Sequence, residues 1–64
     1  MSAPATFERR LLPYAGAAAY LGISLRAVKE LAADGKIPKT PIGHRVLLDR
    51  EDLDRFIERV KRSA

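Results

Sequence analysis

The stretch AAAYLGISLRAVKELAADGKIP, residues 17–38, decides the fold. Inside it, LRAVKELAA places Val28, Leu31 and Ala32 on one helical face, with Leu25 in or beside that face. Arg26, Lys29, Glu30 and Ala33 lie elsewhere around the same helix. Ser24 stands just before it as an N-cap, its hydroxyl suited to accept from an early unpaired N–H. Asp34-Gly35 ends it, Ile37 is placed for the apolar contact that accompanies a glycine C-cap, and Pro38 blocks continuation. Upstream, YAGAAAYL follows Pro13, a residue that suits the first turn of a helix. Tyr14, Ala17, Ala18 and Leu21 share one face there, and Gly22 closes the helix in the left-handed conformation that glycine enters cheaply. Ala18 is small enough for two helices to cross closely, with Ile23, Val28 and Leu31 as the apolar wedge between them. Two short helices around a tight glycine turn form a helix-turn-helix pattern. Ordinary helical hairpins show the same spacing, so the flanking sequence has to decide between them.

Downstream, KTPIGHRVLL (39–48) is no helix. Pro41 cannot lie in a central strand, and Val46, Leu47 and Leu48 favour extended backbone. Gly43-His44 between two extended pieces predicts a hairpin turn. Two short strands need the helices to lie on. Asp49 then caps a last helix in which Leu53, Phe56, Ile57 and Val60 recur at i, i+3, i+4 and i+7. Its acids Glu51, Asp52 and Asp54 come first and its bases Arg59, Lys61 and Arg62 last, which complements the helix dipole. Arg50–Asp54, Glu51–Arg55 and Glu58–Arg62 are possible i,i+4 pairs. MSAPATFERR at the start has no periodicity and reads as a flexible arm. The expected architecture is mainly α with a small β-hairpin: residues 1–10 as arm, and 11–62 as a winged helix-turn-helix of three helices plus a two-stranded wing.

Composition bounds the function. A chain of 64 residues makes one domain with a thin core. It has no cysteine and a single histidine, His44, which excludes disulfides, Cys-based zinc sites and a nucleophilic thiol. No phosphate-cradling glycine loop occurs, the carboxylates lie on a charge-balanced helix, and the expectation is a protein without enzymatic activity, cofactor or small-molecule ligand. No apolar run approaches the roughly 20 residues of a membrane span. Of the formal charge of +4, residues 23–48 carry most: Arg26, Lys29, Lys36, Lys39 and Arg45 against Glu30 and Asp34. Residues 49–64 hold as many acids as bases. A basic excess confined to the middle third suits a polyanion.

The stretch from residue 17 to 57, AAAYLGISLRAVKELAADGKIPKTPIGHRVLLDREDLDRFI, resembles the small winged-helix domain of the phage excisionase family. The same domain type occurs in MerR-like DNA-binding heads and in small AlpA-like regulators. The resemblance covers about residues 11–60 and rests on four motifs: A-x-x-L-G-I-S before the second helix, the G-K-I-P exit, I-G-x-R at the wing, and R-E-D-L-x-x-F-I in the last helix. It implies that double-stranded DNA is the partner, with the second helix in a major groove and the wing on the adjacent minor groove or backbone. For excisionases it further implies cooperative binding at repeated sites, DNA bending, control of an integrase-type recombinase, and a cytoplasmic, nucleoid-associated place in a bacterial host. Ser24 matches the family's cap, Arg26 a basic groove-facing residue, Lys29 a polar or aromatic contact position, and Arg45 the wing arginine. His44 beside it and Lys39 before it complete the expected DNA-contacting set, with Lys36 flanking. This sequence departs from the family at Leu25 and Ala27, often polar, at Glu30, where a base is common, and at Pro13, in the usual Ser/Thr cap position. Few groove-facing side chains are left to read bases, which favours phosphate contacts and shape readout.

Several uses stay open. Arg45 has an alternative partner in Asp49. Tyr20 is expected to pack, with a phosphate contact as its other use. Arg9 and Arg10 are expected to be solvated, or else to enter a minor groove. An interaction module would use Leu11, Leu12, Leu25 and Leu47 as exposed apolar residues. A dimeric transcriptional regulator would carry a dimerising extension, and the few residues after Val60 favour the excisionase instead. Copies are then expected to associate head to tail on DNA, the wing around Lys39 and Arg45 of one meeting Glu51, Asp52 and Asp54 of the next.

Overall fold

A computed structural model describes residues 9–63. The elements run β1 (Leu11–Leu12), α1 (Tyr14–Leu21), α2 (Leu25–Ala33), β2 (Thr40–Ile42), β3 (Arg45–Asp49) and α3 (Arg50–Ser63). This is a winged helix-turn-helix, mainly α with a β-hairpin, as the sequence predicts. Residues 1–8 of the expected arm lie outside the described residues.

The helix boundaries follow the capping chemistry. Pro13 is the N-cap of α1 and makes no side-chain capping bond; its carbonyl accepts from Ala17 N–H at 2.9 Å. Gly22, at φ 74°, turns the chain while its own N–H and that of Ile23 donate to the Ala18 carbonyl. Ser24 Oγ then accepts from Ala27 N–H at 3.1 Å, as an N-cap should. At the far end of α2, Gly35 N–H donates to Ala32 and Lys36 N–H to Leu31, the paired bonds of a Schellman turn. That turn delivers Ile37 fully into the core.

The sheet departs from expectation. Its order is β1-β3-β2, all antiparallel, so the wing is backed by a third strand. Leu11 pairs with Asp49 and Leu12 with Leu48, and Arg50 N–H donates to the Arg10 carbonyl at 2.6 Å. A two-residue strand ended by proline carries no alternation, which is why the sequence hides it. Leu12 packs on the core, and Leu11 and Leu47 are half-buried. Three of the four leucines proposed as an exposed interaction patch thus serve the sheet instead; Leu25 alone is clearly exposed, at 42%.

The core is Ala17, Ala18, Val28, Ala32, Ile37, Leu48 and Leu53. Two alanines of α1 face Val28 and Ala32 of α2, a contact that brings the helices close. The expected wedge is corrected in part. Val28 is buried, Leu31 only packs against the edge, and Ile23 is exposed in the turn. The stripe on α3 is also only partly used: Leu53 is buried, Phe56 and Ile57 are half-buried, and Val60 is 49% exposed. α2 ends too early to cover the second half of α3.

Candidate nucleic-acid interface

Burial of Val28 and Ala32 fixes which face of α2 looks outward. On that face Arg26 and Lys29 are one turn apart, near the helix start, and both are exposed. Arg26 pairs with Glu30 at 3.4 Å, but the arginine side chain is 88% exposed. An exposed i,i+4 pair is worth only about 0.3–0.5 kcal/mol, so a phosphate can displace the glutamate. Ser24 is exposed as well and its hydroxyl already caps the helix. The two unpaired N–H groups of the first turn and the positive end of the helix dipole face the same way, which favours an anion there.

The wing supplies the second group. Ile42 pairs with Arg45 across Gly43-His44, with Gly43 at φ 61° in the first central position, as a two-residue hairpin of the II′ kind requires. Strand alternation sets Arg45 with Leu47 on one face and Val46 with the buried Leu48 on the other. Lys39, His44 and Arg45 are exposed and, among the described residues, have no ion-pair partner. Lys36 is exposed at the α2 exit. The site residues named from sequence thus fall on two elements, the first turns of α2 and the wing with its approach.

Asp49, the alternative partner of Arg45, is engaged elsewhere. Arg10 Nε donates to both carboxylate oxygens of Asp49, at 3.2 and 3.1 Å, and Arg10 Nη2 reaches Glu51 at 3.3 Å. The Asp49 carboxylate also accepts from Glu51 N–H at 2.9 Å, capping α3. The Arg10 guanidinium, and after it the Glu51 N–H, hold the Asp49 carboxyl below its ordinary value. The Asp49 carboxylate, and after it that of Glu51, raise the Arg10 pKa in turn. Tyr20 is 44% exposed and its hydroxyl donates to Asp54 Oδ1 at 2.5 Å. On α3, Glu51 pairs with Arg55 as the spacing predicts, whereas Glu58 meets Lys61 instead of Arg62. Sequence reasoning missed the Arg10 clamp, because nothing local links residues 39 positions apart. It also missed the exposed apolar Ile42 and Val46 on the wing. Their strand pattern was visible, but which end of the hairpin overhangs the core was not.

The helical pair, its glycine turn and the basic wing define a winged helix-turn-helix of the DNA-binding class. The chain belongs to the helix-turn-helix domain family, whose model matches residues 15–61. That match takes in nearly all of α1 and all of α2, β2 and β3, and leaves β1 outside. Comparison with curated proteins and with solved structures found no match. Among the described residues no helix is long and apolar enough to cross a membrane.

Proposed function

We propose that this protein binds double-stranded DNA with the first turns of α2 in a major groove and the wing against the adjacent minor groove or backbone, and that it acts as an excisionase. The observation that carries the DNA reading is the set of exposed cations on those two elements: Arg26 and Lys29 on α2, and Lys39 and Arg45 with His44 at the wing. Ser24 adds its cap and nearby N–H groups. Most of these contacts suit phosphates, which position a protein without reading sequence. With about four to six phosphate contacts, log K should fall against log salt with a slope of about −4 to −5. A mobility-shift titration on a phage attachment-site fragment, repeated at several salt concentrations, measures it. A slope near zero would overturn the nucleic-acid reading.

The excisionase role rests on the family resemblance and entails DNA bending, cooperative filling of repeated sites and an integrase-type recombinase as partner. A circular-permutation mobility assay and an excision reaction with the cognate recombinase separate it from a plain AlpA- or MerR-like regulator. Head-to-tail contact through Glu51, Asp52 and Asp54 belongs to this reading. Those acids already meet Arg10, Arg55 and Tyr20 within the chain. A neighbour's Lys39 or Arg45 would exchange partners there, so cooperativity through this surface is weak.

A further inference from the structure

The second half of α3 overhangs the end of α2, and between them lies a groove of about 680 Å³. Leu31, Pro38, Phe56 and Val60 form its apolar lining, and Lys36 and Arg59 are its charged residues. No carboxylate lines it among the described residues. Arg59 is held across the rim: its guanidinium lies 5.9 Å over the Phe56 ring and donates through Nη2 to the Lys36 carbonyl at 2.7 Å. Only one of its five donors is used by that bond.

We propose that this groove receives an acidic amphipathic helix from a partner protein. The apolar lining suits side chains spaced i, i+3 or i+4, and i+7 on a helix laid between α2 and α3. The two cations, with no carboxylate in the lining among the described residues, select carboxylates along the flank of that helix. A nucleic-acid backbone could use the cations but not the lining. The groove lies at the C-terminal end of α2, a helix of nine residues, so about 13 Å of helix separates it from Ser24. A partner seated there leaves the first turns of α2 open. The proposal goes beyond DNA binding and stands or falls without it.

The test uses the full chain without DNA. The probe is a fluorescein-labelled designed peptide of about four helical turns, with leucine and phenylalanine at the anchor positions and glutamate elsewhere. A second probe replaces every glutamate by lysine. Saturable anisotropy binding of the acidic peptide is expected in the micromolar range, at least tenfold tighter than the basic one, with amide shifts centred on Leu31, Lys36, Phe56 and Val60. Val60→Asp and Lys36→Glu, both at exposed positions, should each weaken binding at least tenfold with the circular dichroism unchanged. Equal binding of the two peptides, no saturation at millimolar concentration, or shifts centred on Arg26 and the wing would overturn the proposal. Sedimentation showing a dimer that Val60→Asp abolishes would overturn it too, by giving the groove to a second copy.

Discussion

At the scale of single residues, two of the arginines with carboxylate partners, Arg26 and Arg10, have different uses. Arg26 and Glu30 form an exposed pair on one helix, which costs little to break. If Arg26 enters the groove, Arg26→Ala should weaken specific binding by about 1–3 kcal/mol, while Glu30→Ala leaves it unchanged or tighter. Titrations on one DNA site decide it; unchanged affinity in the first with loss in the second means that α2 lies on DNA the other way round. Arg10 holds Asp49 across the sheet edge, and Asp49 also caps α3. Its carboxyl is held below the ordinary value of 3.8, so ionised Asp49 stabilises the folded chain above that pH. The contribution is lost as pH falls through the lower folded value. Asp49→Asn should therefore lower stability near neutrality and flatten the acid limb of a stability-versus-pH curve. Denaturant melts across that range would show it, and an unchanged acid limb would refute it. The resemblance and the helix period made Ser24, Arg26, Lys29 and Arg45 legible as surface candidates. The choice of Arg10 over Arg45 as the partner of Asp49 was not legible, because it depends on which strand lies beside β3.

At the scale of elements, legibility followed the capping residues. α1 and α2 carry stops and starts that act over three or four residues, so their ends were readable from Pro13, Gly22, Ser24 and Gly35. The left-handed turn at Gly22 is open in space: a Cβ built there meets nothing within 4 Å. Gly22→Ala should thus add backbone strain alone, about 1–2 kcal/mol. Chemical denaturation would detect it, and a neutral result would mean that the turn relaxes. α3 taught the opposite lesson. Its apolar period was the clearest in the chain, but a period shows which face could be buried and not whether a neighbour reaches it. Leu53 meets β3 and the helices, whereas Val60 overhangs into the groove. β1 gave no signal because two residues define no period.

At the scale of the whole molecule, the core among the described residues is seven buried side chains, three of them alanine. A core of that size leaves narrow margins, and the remaining order comes from the ends of elements tied to one another. The strand β1 is the longest of these ties: Leu11 and Leu12 meet residues near 49, across α1, α2 and the wing. Closing a loop of roughly 40 residues carries an entropy of about 3 kcal/mol on the logarithmic law, and two strand pairs cannot repay it in an open chain. The order of assembly follows. The α1–α2 hairpin, made of near neighbours, is expected to form before the transition state, and the first strand to dock after it, as the last event of folding and the first of unfolding. Stopped-flow kinetics would read this as a φ-value well above zero for Val28→Ala and near zero for Leu12→Ala. Equal values would assign both to one nucleus. On that ordering the helical pair is complete and presentable to a partner while the N-terminal strap is still undone. A strap that docks last would set how long the folded state lasts and have no part in how quickly it is reached.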